Sequence, residues 1–317
     1  MPHFDVTVVG ELNLDLILYG LPAQLEPERE MMADGLALTL GSSSGIFAHN
    51  LAVMGSKVGF ITRIGMDPLG GIALERLQAG GVDISDVRRV EGPTSTGLTV
   101  ILQRSSFRNM LTYAGTMNEM CFEDLNLDYL AAAKHFHLSS FYLHRALRPR
   151  IAELFRLMKQ RGLSTSLDTN DDPEDRWDDD LFEVLKFVDI FLPNEREATR
   201  IARTDSLEEA VVRLKQLVPV LAIKLGQEGA VACSAAGTLR CPARKVEAID
   251  AVGAGDSFDA GFIHAYVEGA DLGACLEQGI AAGGFSTTRP GGTEAFRDRE
   301  YFAEFFHNKG AKAKSHD

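Results

Sequence analysis

From about residue 134 to residue 224 the chain alternates short apolar or β-branched runs with stretches of helical period, and few folds accept that rhythm. The runs at 135–138, 164–168, 188–192 and 220–224 read as strands with helices between them. A strand, a helix and a further strand close as a right-handed crossover, which makes the sheet parallel and covers both its faces. Earlier in the chain, 5–10 and 57–64 read as strands. Helices are predicted at 46–54, closed by Gly55, and at 69–79, closed by Gly80-Gly81.

Two regions break the alternation. Residues 36–40 read as a strand, and 97–103 with 109–113 as a hairpin turning at Ser105-Ser106. The β-rich pieces at 11–40 and 97–113 are therefore expected to form a small separate sheet. The expected fold class is α/β, with a central, mostly parallel sheet flanked by helices. One domain is expected over 1–306, followed by a polar, unpatterned tail at 307–317 that should fray.

With 317 residues and 45% apolar content the chain can bury a full core. Its 32 basic and 45 acidic residues give a formal charge of −13, which disfavours nucleic acid and anionic membranes as partners. The four cysteines show neither zinc spacing nor a disulfide framework. The N-terminus lacks the pattern of a secretory signal, and no apolar run is long enough to span a bilayer. The cytoplasm is the expected address.

The chemistry concentrates in Asp250-Ala-Val-Gly-Ala-Gly-Asp256-Ser-Phe-Asp-Ala-Gly-Phe262. An apparent strand at 245–249 precedes it, and Phe258, Phe262, Ala265 and Tyr266 share one helical face after it. A glycine turn opening a helix is an anion site, because the first amides lack intrahelical partners and carry the positive end of the dipole. Asp256 at that end stays ionised readily. It can accept the proton of a hydroxyl attacking a phosphate held by Gly253, Ala254 and Gly255. Taken alone, so short a turn reads first as tight packing with an acid at a helix start.

The longer string DAVGAGDSFDAGF resembles the C-terminal signature of the ribokinase-like (PfkB) sugar kinases. Other pieces follow in that family's order: GELNLD at 10–15, the turn at Gly41 with ITRIGMDPLG at 61–70, LPNEREA at 192–198 and KLGQEGA at 224–230. The resemblance implies a phosphotransferase that uses ATP and Mg2+ on a hydroxymethyl group of a small, sugar-like molecule. It makes Asp256 the catalytic base and Gly253, Ala254 and Gly255 the anion hole. Asn13, Asp15, Gly41 and Ser42 become substrate contacts. Arg104 and Arg108 flank the hairpin turn and read first as solvated; in a lid, Arg108 is a candidate substrate contact able to reach a carboxylate or phosphate on the sugar. Asn194, Lys224, Gly226 and Gly229 become nucleotide contacts, and Glu197 stands near Mg2+ through water. Asp250 is a candidate for a monovalent cation such as K+. The small sheet would be a lid that excludes water, and its edge leaves a homodimer open.

The family pattern has a second glycine where this chain has Ser42, an asparagine at Ile46 and a threonine at Ala251. A polar sugar contact is thus either missing or supplied from elsewhere. Two rival readings remain: a non-catalytic binding protein of the same fold, and a serine hydrolase in which Gly41–Gly45, matching GxSxG, presents Ser43 with Asp168 and His264. A P-loop kinase is disfavoured, since GxxxxGK[ST] is absent. The acidic run 168–180 begins like an EF-hand but has Pro173 where glycine is required, so it reads as a solvated loop, with Asp168 and Asn170 at a strand end. The histidines at 49, 135, 137, 144 and 264 read as structural or surface groups.

Overall fold

Residues along the core strands alternate between two apolar clusters. Val9, Phe136, Leu138, Leu167 and Phe191 face one of them. Val6, Val8, Phe60, Ile190 and Leu192 face the other. A sheet apolar on both faces must be covered twice, which is the condition for parallel strands joined by helices. The computed structural model, which describes residues 2–104 and 107–307, has this architecture.

The strands are β1 (Phe4–Val9), β2 (Asn13–Tyr19), β3 (Gly35–Leu40), β4 (Val58–Ile61), β5 (Arg63–Gly65), β6 (Arg88–Val90), β7 (Gly97–Arg104), β8 (Phe107–Tyr113), β9 (Ala133–Leu138), β10 (Ser164–Leu167), β11 (Ile190–Phe191), β12 (Val220–Lys224), β13 (Ala230–Ser234) and β14 (Gly237–Cys241). The helices are α1 (Ser43–Val53), α2 (Pro68–Gly80), α3 (Leu127–Ala131), α4 (Ile151–Gln160), α5 (Asp180–Leu185), α6 (Glu195–Ala202), α7 (Leu207–Leu214), α8 (Ala254–Val267), α9 (Leu272–Ser286), α10 (Glu294–Arg297) and α11 (Arg299–His307).

The large sheet runs β14-β13-β12-β11-β10-β9-β1-β4. It is parallel from β4 to β12, and β13 and β14 are antiparallel. Successive strands leave β1 in opposite directions, β4 to one side and β9 to the other. Such a switch opens a crevice at the C-terminal strand ends, where ligands of open α/β sheets sit. A second sheet, β3-β2-β7-β8, is the small separate sheet expected from the sequence. Its two-residue period puts Asn13, Asp15 and Ile17 on one face with Thr99 and Ile101.

Several expectations need correction. The run 57–64 is two strands: β4 stays in the large sheet, while β5 pairs with β6 elsewhere. Residues 245–249 form no strand; the Ile249 amide donates to Thr287 O at the end of α9 instead. The acidic loop is only partly solvated. Asp172 is buried and accepts amides from Glu174, Arg176 and Trp177. The hairpin turn at Ser105-Ser106 and the tail from residue 308 lie outside the described residues.

Candidate active site

The crevice is built from chain ends. Glu11, just past β1, is buried and accepts the Ser43 amide at 3.0 Å and the hydroxyls of Ser44 and Ser140 at 2.8 Å each. One carboxylate thus ties the end of β1 to the start of α1 and to the residue after β9. Asn170 lies past β10 with φ of 52°, and its amide group donates to Ser43 Oγ and to Ser140 Oγ. Ser43 in turn donates to Asp256.

Asp256 sits in the first turn of α8 behind Gly253, whose φ of 71° suits glycine. A Cβ on Gly253 would lie 2.6 Å from Gly292 Cα, so the position has no room for a side chain. Burial, then the neighbouring Asp168, pushes Asp256 up to about 7, against the pull of Lys224 and the Ser43 hydroxyl. A carboxyl in that range can take a proton near neutral pH and release it again.

The small sheet covers this group. Asp15 is likewise pushed up to about 7, first by burial and then by Asp256. A Cβ on Gly41 would come within 2.3 Å of Asp15 Oδ1, so glycine lets α1's leading turn approach that carboxylate. Asn13 donates to Thr99 Oγ1 at 3.1 Å, while its buried Oδ1 has no partner. A substrate hydroxyl can satisfy that oxygen. Arg108 lies on the same face, near enough to Asp15 to lower it.

The expected contact Ser42 and the departure Ile46 both serve the packing of α1. Ser42, at φ of 63°, accepts the Gly45 amide at 3.1 Å and caps α1. Ile46 packs on the turn, within 3.0 Å of where a Gly253 Cβ would stand. The polar tie from α1 to the turn comes one helical turn later, from Asn50 to Gly292 O and Ser257 Oγ, both at 2.9 Å. Sequence reasoning missed Glu11, Asn50 and Asp259. Only the i to i+4 spacing of Ile46 and Asn50 could have signalled Asn50.

Lys224 differs most from expectation. Its ammonium turns inward to Asp168 Oδ2 at 2.8 Å and to both Asp259 oxygens at 3.1–3.2 Å. Burial disfavours its charge, but Asp168 and Asp259 hold it protonated well above the usual range. Gly226 (φ 57°) and Gly229 (φ 97°) frame the turn that follows, and a Cβ on Gly229 would strike Cys241 O at 2.0 Å. Asn194 and Glu197 form a reciprocal cap on α6. Glu197 is pushed up to about 8 by burial and then by Asp168.

Among the described residues no three acidic, histidine or cysteine side chains converge into a metal cage. Asp168, Glu197, Asp256 and Asp259 nevertheless surround a single lysine. That excess of carboxylate fits a divalent cation keeping much of its water. Asp250 is a poor match for potassium, because the Arg108 guanidinium stands 3.9 Å from its Oδ1 while amides of Val252 and Gly291 take one lone pair of each oxygen at 3.0 and 2.9 Å.

No hydrolase triad assembles: Asp168 is bound to Lys224, and His264 pairs with Ser56 at 2.8 Å. His135 and His137 lie in a buried chain of serine hydroxyls.

The sequence model of pfkB family carbohydrate kinases matches residues 4–299. A 2-dehydro-3-deoxygluconokinase of Bacillus subtilis is 28% identical over 293 residues, 88% of each chain. A deoxyribokinase of Salmonella typhimurium is 26% identical over 95% of this chain and 98% of its own. Among solved structures, a putative ribokinase II from E. coli in complex with ATP and Mg2+ superposes with a TM-score of 0.82, at 24% identity, covering 96% of this chain and 99% of the other.

Proposed function

The chain belongs to the pfkB family of carbohydrate kinases, and on that premise we propose that it phosphorylates a hydroxymethyl group of a small, sugar-like molecule with ATP and Mg2+, Asp256 serving as base. It is a phosphotransferase with an alcohol acceptor. The observation that carries the base assignment is the placing of Asp256 in the first turn of α8, ionising near neutral pH, behind a turn only glycine can make.

In this reading the sugar lies between the small sheet, acting as lid, and the first turn of α8. Asn13 Oδ1 and Asp15 accept its hydroxyls, and Gly41 gives Asp15 its clearance. Asp256 takes the proton of the reacting hydroxyl as its oxygen bonds to phosphorus and the bond to the departing ADP oxygen breaks. The amides of Gly253, Ala254 and Gly255 stabilise negative charge on the transferred group at the positive dipole end of α8, the Ala254 amide giving up a long 3.4 Å bond to Ala251 O. Bound Mg-ATP supplies the phosphoryl group and counter-charge. Glu197 and Asn194 are suited to its hydrated metal and phosphates, and Gly226 and Gly229 to the nucleotide.

Lys224 acts from beneath, fixing Asp168 and Asp259 and lowering Asp256 toward neutrality. The chain is read as one domain over 1–306, with lid segments at 11–40 and 97–113. The edge strand β8, paired only with β7 among the described residues, supports a homodimer through the lid. ADP release from Mg-ATP against sugars, sugar acids, sugar phosphates and nucleosides tests the reading. A substrate-dependent signal is expected, and a protein that binds ATP yet stays silent across the panel would be the non-catalytic alternative.

A further inference from the structure

Asp250 opens the segment that ends at Asp256, and four groups already serve its carboxylate. Oδ1 accepts the Val252 amide at 3.0 Å and faces Arg108 at 3.9 Å. Oδ2 accepts the Gly291 amide at 2.9 Å and faces the Tyr19 hydroxyl at 3.5 Å. Val252 and Gly291 belong to the catalytic turn and its neighbouring loop. Tyr19 and Arg108 come from β2 and β8 of the lid. Around them Ile17 and Ile101 of the lid pack with Val252, and Thr39 of β3 donates to Glu294 at 3.1 Å.

A monovalent cation needs a ring of oxygen lone pairs. Here both carboxylate oxygens receive N–H donors, and a guanidinium stands beside them. An ion entering would lie next to a like charge, at a cost that grows as water is excluded.

We propose that Arg108 is the resident positive charge at Asp250, so that turnover needs no monovalent cation and the closing lid itself completes the catalytic turn. Arg108 is a positioning residue in this role. It bridges Asp250 to the lid and also lies near Asp15, so the same side chain senses the substrate face. The inference rests on the kinase reading only for its activity arm.

The test compares wild type and Arg108→Met in potassium chloride and tetramethylammonium chloride at equal ionic strength, reading both Tm and sugar-dependent ADP release. Wild type is expected to show no potassium-specific rise in Tm and a rate change below about twofold. Arg108→Met, with the position vacated, should gain a potassium-specific rise in Tm and recover at least about threefold in rate. Arg108→Lys, which keeps a positive charge beside Asp250, should show no potassium-specific rise in Tm. Potassium-specific stabilisation or about tenfold activation of wild type would overturn the proposal. A flat response of Arg108→Met in both readouts would overturn the assignment to Arg108. Absence of ADP release in every salt strikes the kinase reading, and the Tm comparison still decides the cation question.

Discussion

Lys224 Nζ lies 2.8 Å from Asp168 Oδ2, a contact that passes over β11 to join the ends of β10 and β12 near the turn at Gly253. Asp259, one helical turn beyond Asp256, completes the lysine's pairing at 3.1 Å. All three side chains are nearly inaccessible, with 11%, 2% and 1% of their surface exposed for Lys224, Asp168 and Asp259. Removing one partner of such a pair leaves charge buried without compensation.

Lys224→Met is therefore expected to lower stability by about 3–5 kcal/mol. Lys224→Met combined with Asp259→Leu should recover part of that loss. Urea unfolding of both proteins checks it, and a single variant as stable as wild type would mean the pair is not held as described.

Asp256 and Asp15 both sit near 7, each raised first by burial, and Asp256 further raises Asp15. A base works only when ionised, so kcat/KM should climb with pH along an acidic limb near 7. Asp15→Asn removes one of the two interacting charges and should move that limb to lower pH, whatever it does to the sugar KM. A limb that stays in place separates Asp15 from the titrating group.

Ser42 holds a positive φ of 63° while its side chain caps α1. Strain of this kind costs about 1–3 kcal/mol, and a serine cap contributes about 1 kcal/mol. Ser42→Gly releases the strain with little loss of cap and should unfold at or above the wild-type temperature. Ser42→Ala keeps the strain, loses the cap and should unfold below it. Equal stability of the two variants would remove the strain argument.

His135 is fully buried between serine hydroxyls, and burial lowers it to about 3 from an ordinary value near 6.5. The unfolded chain therefore takes up this proton first. The stability it reflects is complete above about pH 6.5 and is lost as pH falls toward 3. Between pH 6.5 and 5, urea-derived stability of His135→Gln should fall less steeply than wild type, by up to about 1.4 kcal/mol per pH unit. Parallel slopes would place the acid sensitivity elsewhere.

The turn at Gly253 and the acid at Asp256 were legible because their chemistry is local: glycine, dipole and acid lie within four residues of one another. The small sheet was legible from its two-residue period and its break with the surrounding alternation. Glu11, Asn170 and Asp259 were harder, because their partners are distant in the chain. Asn170 meets Ser43 across 127 positions and Asp259 meets Lys224 across 35. Lys245 to Ala248 alternates charged and apolar residues as an edge strand does, yet the Ile249 amide bonds to Thr287 at the end of α9. Thr62 and Arg63 carry no signal that the chain changes sheets between them. Ser42 was read as a substrate contact in a serine turn, and its backbone angle and its bond to Gly45 show it capping α1.

The central claim is that Asp256 removes the proton from the accepting hydroxyl. The most direct measurement is sugar-dependent ADP release by wild type and Asp256→Asn, with ATP binding to both followed by calorimetry. The account predicts a fall in kcat of about 10²–10⁴-fold with ATP affinity nearly unchanged. Equal turnover by the variant would contradict it.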